Sequence, residues 1–140
     1  MSTKHKPSVL DTDKLKKASK KKFAIVCSEW NSEIINRLLS GAYTFFKSID
    51  ISTDEISLIK VPGSFELIYG CSTVQATDKY DAILAIGSII RGETSHFKYI
   101  SQSVFDGIKD LNLNGKSPII LCLLTDDNFQ QALDRSGGKY

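Results

Sequence analysis

A three-layer α/β/α domain built on a four-stranded parallel sheet is what this sequence predicts, and three observations predict it. Four short runs, Phe23–Cys27, Ile56–Val61, Ala82–Ile90 and Pro118–Leu124, are almost continuously apolar, as strands buried on both faces must be. Each is followed by apolar residues at helical spacing, and strands alternating with helices favour parallel pairing through right-handed crossovers. At 140 residues the chain can bury one substantial core and is too short for two ordinary domains.

The elements follow in order. Phe23–Cys27 stops at Ser28-Glu29-Trp30-Asn31-Ser32, after which Ile34, Ile35, Leu38, Leu39, Ala42, Phe45, Phe46 and Ile49 mark one helical face, with Asn31 or Ser32 as its N-cap. Ile56–Val61 is halted by Pro62-Gly63, and Phe65, Leu67, Ile68, Cys71 and Val74 predict a second helix starting close to Ser64. The third strand empties into Arg91-Gly92-Glu93-Thr94-Ser95-His96, and a third helix is expected from Phe97 to Leu111. The fourth strand is followed by a helix capped at Thr125-Asp126-Asp127 and running through Phe129, Ala132 and Leu133.

Charge is unevenly distributed. Met1–Lys22 holds eight lysines against Asp11 and Asp13, net +6, whereas the whole chain is only +2 and the remainder is therefore about −4. Lacking aromatics and arginine, residues 1–22 are expected to be a flexible, solvated tail, not a nucleic-acid arm, ahead of a domain spanning 23–140. No apolar run approaches the roughly 20 residues of a membrane span, and Cys27, Cys71 and Cys122 form no CxxC pair. A cytoplasmic protein with reduced thiols is the expectation.

In open parallel sheets ligands bind outside the carboxyl ends of the strands, which singles out residues 28–32, 61–66, 87–96 and 125–128. Trp30 in the first of these loops could stack on a planar heterocycle or plug the sheet edge. Phe65 and Glu66 follow a turn that brings backbone close to a ligand, or are a core residue and a first-turn charge. Thr94 and His96 stand where free helix N–H groups attract an anion, which favours His96 as a proton-transfer group. Arg135 could pair with a phosphate or cap the last helix. Cys27 precedes a strand end and reads as buried, and no residues stand at metal-ligand spacing, so neither a thiol nucleophile nor a metal is expected.

Taken together, Ser28-Glu29-Trp30-Asn31, Val61-Pro62-Gly63-Ser64-Phe65-Glu66, Gly87 to Phe97, and Leu124-Thr125-Asp126 with Asp134-Arg135-Ser136-Gly137 resemble the lumazine synthase family over Phe23–Lys139. The resemblance implies a flavodoxin-like fold. It also implies an enzyme without a cofactor that condenses 5-amino-6-(D-ribitylamino)uracil with 3,4-dihydroxy-2-butanone 4-phosphate. Trp30 matches the aromatic that stacks on the pyrimidine, and Phe65 and Glu66 match the lining of the ring and ribityl pocket. Ser64, Ser88, Ile89 and Ile90 belong to the same implied substrate contacts. Glu93 and Thr94 match the phosphate loop, His96 the proton-transfer histidine and Arg135 the phosphate-binding arginine. Arg135, with the segment around Leu121, is implied to reach a neighbouring subunit's pocket in a homopentamer, itself a possible unit of a larger icosahedral shell. Leu121 stands where many members have phenylalanine. Family members also continue past the position of Tyr140 into a glycine-rich turn, a lysine and a long helix, so apolar surface is expected to be uncovered. The alternatives are a non-catalytic shell-forming or flavin-binding relative, and an FMN carrier; residues 28–32 lack the small and hydroxyl residues that would wrap a phosphate in the latter.

Overall fold

A computed structural model of the protein describes residues 11–139. Helix α1 (Thr12–Leu15) and a 3₁₀ turn (Lys16–Lys20) lead into β1 (Phe23–Ser28) and α2 (Ser32–Ser48). A 3₁₀ turn (Thr53–Glu55), β2 (Ser57–Val61) and α3 (Leu67–Ala76) follow. The chain then forms β3 (Ala82–Ile90), α4 (His96–Asn114), β4 (Ile119–Asp126) and α5 (Phe129–Arg135). The sheet has the order β2-β1-β3-β4, and every pairing is parallel.

Successive residues of a strand face opposite layers, and β1 divides the core accordingly. Ala24 and Val26 pack with Leu67, Cys71, Val104 and Ile108 beneath α3 and α4. Ile25 and Cys27 pack with Ile35, Phe46 and Ile86 beneath α2. The near-continuous apolar strands of the sequence thus serve two cores at once. Coverage is unequal at β4. A helix about 10 Å wide spans only about two strands spaced about 4.8 Å apart, so α2 alone cannot reach the edge strand. Ile120 is 52% exposed there and Phe45 is exposed, beside an apolar recess of about 240 Å³.

Two helix starts differ from the sequence reading, those of α3 and α5. Residues 1–10 of the expected tail lie outside the described residues, and residues 12–20 are helical. Lys16 approaches Asp13 at 3.3 Å and Asp50 at 3.9 Å, and Leu15 packs against the core under α2. Helix α3 begins at Leu67 and not near Ser64, because the Ser64 hydroxyl is committed to the carbonyl of Ser88, 3.3 Å away. Asn31 is the N-cap of α2, as expected, through its carbonyl, which accepts from Ile34 N at 2.9 Å and Ile35 N at 3.1 Å; its side-chain amide donates instead to the Ser88 carbonyl at 3.1 Å. Thr125 and Asp126 belong to β4, and the cap of α5 is Asn128, whose side chain accepts from Gln131 N at 2.9 Å. Among the described residues no helix is long and apolar enough to cross a membrane.

Candidate active site

The strand order reverses direction between β1 and β3, and the crevice at such a switch point, outside the carboxyl ends, is where open α/β sheets bind ligands. A cleft of about 600 Å³ lies there. The loop after β1 contributes Trp30 and Asn31, the turn after β2 contributes Ser64, Phe65 and Glu66, and the end of β3 contributes Ser88, Ile89 and Ile90. Thr94 and His96 close it from the start of α4.

Local chemistry fixes this arrangement. Glu29 N donates to the Val61 carbonyl at 2.8 Å and Trp30 N to the Pro62 carbonyl at 3.1 Å, joining the first two loops. Asn31 sits at φ 60°, a left-handed conformation that asparagine tolerates better than most residues. Ser64 and Asn31 both donate to the Ser88 carbonyl, so one backbone oxygen of β3 ties all three loops together. Trp30 is 73% exposed, which removes the sheet-plug reading, and it lines the cleft. The Ser88 hydroxyl is buried without a hydrogen-bond partner among the described residues, an uncommon state that a ligand's polar group would relieve.

The start of α4 supplies the electrostatic element. Its N-cap, Ser95, makes no side-chain capping bond, and the positive end of this 19-residue helix borders the cleft through Thr94, His96 and Phe97. Thr94 Oγ1 accepts from His96 N at 3.3 Å, and the His96 side chain is exposed at the rim. Arg91 stacks over the Phe97 ring, 4.4 Å from its centroid, and its Nε meets Asp127 Oδ1 at 2.6 Å. Burial raises the Cys27 thiol above its usual range, outweighing the opposing effect of Lys60, so this thiol stays protonated and unreactive at neutral pH.

Nine of the twelve residues anticipated from sequence line this cleft: Trp30, the 64–66 turn, the 88–90 strand end, Thr94 and His96. Glu93, Leu121 and Arg135 do not. Leu121 packs half-buried on the α4 side of the sheet, and Arg135 ends α5 beside Asp126. Sequence reasoning missed Asn31, Gly63, Gly92, Phe97 and Ile100 as wall residues. Asn31 was visible as an asparagine at a strand exit, but its residue type equally suits a helix cap.

The fold and cleft define a parallel α/β domain of flavodoxin-like architecture, with an anion-favouring, aromatic-rimmed ligand site at its topological switch point. Residues 20–140 match the protein family described as 6,7-dimethyl-8-ribityllumazine synthase. Relatives bearing that name include one from Flavobacterium johnsoniae, 44% identical over 131 residues that cover 94% of this chain and 69% of the relative. A second, from Christiangramia forsetii, is 44% identical over 95% of this chain and 80% of its own length. A third, from Parabacteroides distasonis, is 39% identical over 95% and 83% respectively. The chain belongs to the 6,7-dimethyl-8-ribityllumazine synthase family.

Proposed function

We propose that the protein makes 6,7-dimethyl-8-ribityllumazine, a step of riboflavin biosynthesis, from 5-amino-6-(D-ribitylamino)uracil and 3,4-dihydroxy-2-butanone 4-phosphate, releasing phosphate and water. The observation that carries this reading is the convergence of Trp30, Phe65, Glu66, Thr94 and His96 on one cleft in a member of this family. Trp30 and Phe65 hold the pyrimidine by stacking, while Ser64, Glu66, Ser88, Ile89 and Ile90 receive the polar edge of the ring and the ribityl chain. The phosphate sits at the start of α4, on Thr94 and the loop of Glu93, where helix N–H groups favour a dianion.

The substrate amine attacks the ketone and loses water to form an imine. Phosphate then leaves, and closure of the second ring with loss of another water gives the lumazine. His96 carries protons between these steps, and the helix N-terminus steadies the departing phosphate. Holding two reactants together supplies much of the acceleration, and the chemistry requires no cofactor or metal. Arg135 and Leu121, which lie away from the cleft of their own chain, serve the cleft of an adjacent copy. The assembly we propose is a homopentamer, alone or as part of a larger shell, in the cytoplasm.

Formation of the fluorescent lumazine from the two substrates tests this reading. The parent protein should turn over, and His96→Ala should be about 100-fold slower, the lower end of what positioned proton transfer contributes. Flavin or lumazine binding without turnover would replace the enzyme with a non-catalytic relative.

A further inference from the structure

The last residue of β4 is a carboxylate with almost no contact with water: the Asp126 side chain is 1% exposed. Its Oδ1 accepts from Arg135 Nη1 at 2.5 Å, and its Oδ2 is buried without a hydrogen-bond partner among the described residues. Nη1 also donates to the Thr125 carbonyl at 3.2 Å. Among the described residues all hydrogen bonds of this guanidinium leave from Nη1, and the Arg135 side chain is 44% exposed. Asp126 is also anchored through its backbone. It pairs with Ile90 in the sheet, and its carbonyl accepts from Arg91 N at 2.9 Å, at the mouth of the loop that leads to Thr94 and His96.

We propose that Asp126 is a positioning residue for phosphate recognition. It grips one corner of the Arg135 guanidinium and leaves the Nε/Nη2 edge, the edge that forks a phosphate with two parallel hydrogen bonds, without a hydrogen bond among the described residues. This inference rests on the role given to Arg135 above. A half-satisfied buried carboxylate is a poor way merely to stabilise a fold, since an apolar residue of similar size does as well or better. It is a good way to immobilise a long, flexible side chain before a ligand arrives. The negative charge of Asp126 opposes phosphate binding, but a guanidinium already held in place offers a phosphate two charge-assisted hydrogen bonds from its other edge, so orientation outweighs charge. Asp126 therefore sets affinity for the phosphate-bearing substrate and leaves the pyrimidine-binding wall untouched.

The test compares the parent, Asp126→Asn, Arg135→Ala and the double variant, with the KM of each substrate, kcat, and inhibition by inorganic phosphate as readouts. Asp126→Asn should raise the KM of the phosphate-bearing ketone and the phosphate inhibition constant together, each about 10-fold, with the KM of the aminouracil unchanged. In the Arg135→Ala background the same change should add nothing, because a residue that acts through Arg135 has nothing left to orient. An Asp126→Asn protein with parental phosphate inhibition, or one whose full effect persists without Arg135, overturns the positioning role while leaving Arg135 in place. An Arg135→Ala protein with parental phosphate affinity overturns the assignment of Arg135 itself, and this inference with it. If Asp126→Asn does not fold, Asp126→Glu keeps the charge and shifts the fork by one methylene. A folded Asp126→Glu with parental phosphate inhibition then counts against the proposal.

Discussion

Asp81 accepts from Lys21 Nζ and from the backbone N–H of Lys22, each at 2.8 Å. The Lys21 bond and then the Lys22 bond hold its carboxyl below the usual range. A carboxylate with a depressed folded-state pKa stabilises the protein above its unfolded pKa, and that contribution is lost as pH falls through the folded value. Asp81→Asn should therefore lower the melting temperature at pH 7, and the difference from the parent should shrink as pH falls through the folded-state pKa of Asp81. The thiols give a second residue-scale expectation. Burial alone pushes Cys71 up to about 12, and Cys27 is likewise raised. Neither should react with a disulfide reagent at pH 7 until denaturant is added; prompt reaction of either in the native protein would contradict the burial described. Burial of Cys27 and Cys71 was legible in their apolar runs. The Asp81–Lys21 pair was not, because residues 60 apart meet only once the sheet is assembled.

Helix α5 is a seven-residue element, too short to persist without tertiary support, and Asn128 secures its first turn. Asn128→Ala should cost about 1 kcal/mol in urea denaturation, the usual loss for an asparagine cap. Since Arg135 ends the same helix, phosphate inhibition should weaken in parallel. Helix α3 lies so close to the sheet that a Cβ at Gly70 would meet Val26 Cγ1 at 2.8 Å and Val61 Cγ1 at 2.9 Å. Both neighbours are β-branched and stiff, so Gly70→Ala should destabilise by about 1–3 kcal/mol despite alanine's better helix propensity. Element types were legible throughout, because an apolar run and a helical stripe differ in period. Element ends were less so. Ser64 is a good cap by residue type, yet α3 starts at Leu67 and the Ser64 hydroxyl is drawn to the Ser88 carbonyl, a partner on another strand that periodicity does not reveal.

At the scale of the molecule, the role proposed for Arg135 and Leu121, which do not line the cleft of their own chain, predicts that catalysis depends on assembly. His96→Ala and Arg135→Ala proteins, each impaired alone, should complement when unfolded together and reassembled. About one site in four would then combine an intact cleft with an intact neighbouring arginine, and absence of recovery would mean that each chain completes its own site. The sequence by itself determined the class of fold, the four strands, the loops at their carboxyl ends and most of the cleft wall, because burial period and loop chemistry are local and survive in one dimension. Tertiary structure alone decided the strand order that makes β1 and β3 the switch point, the bare face of β4, and the loop lock on the Ser88 carbonyl. It also decided the capture of Arg135 by Asp126. Each of these depends on which distant segments become neighbours and on how much area a single helix can cover, and spacing along the chain carries no record of either.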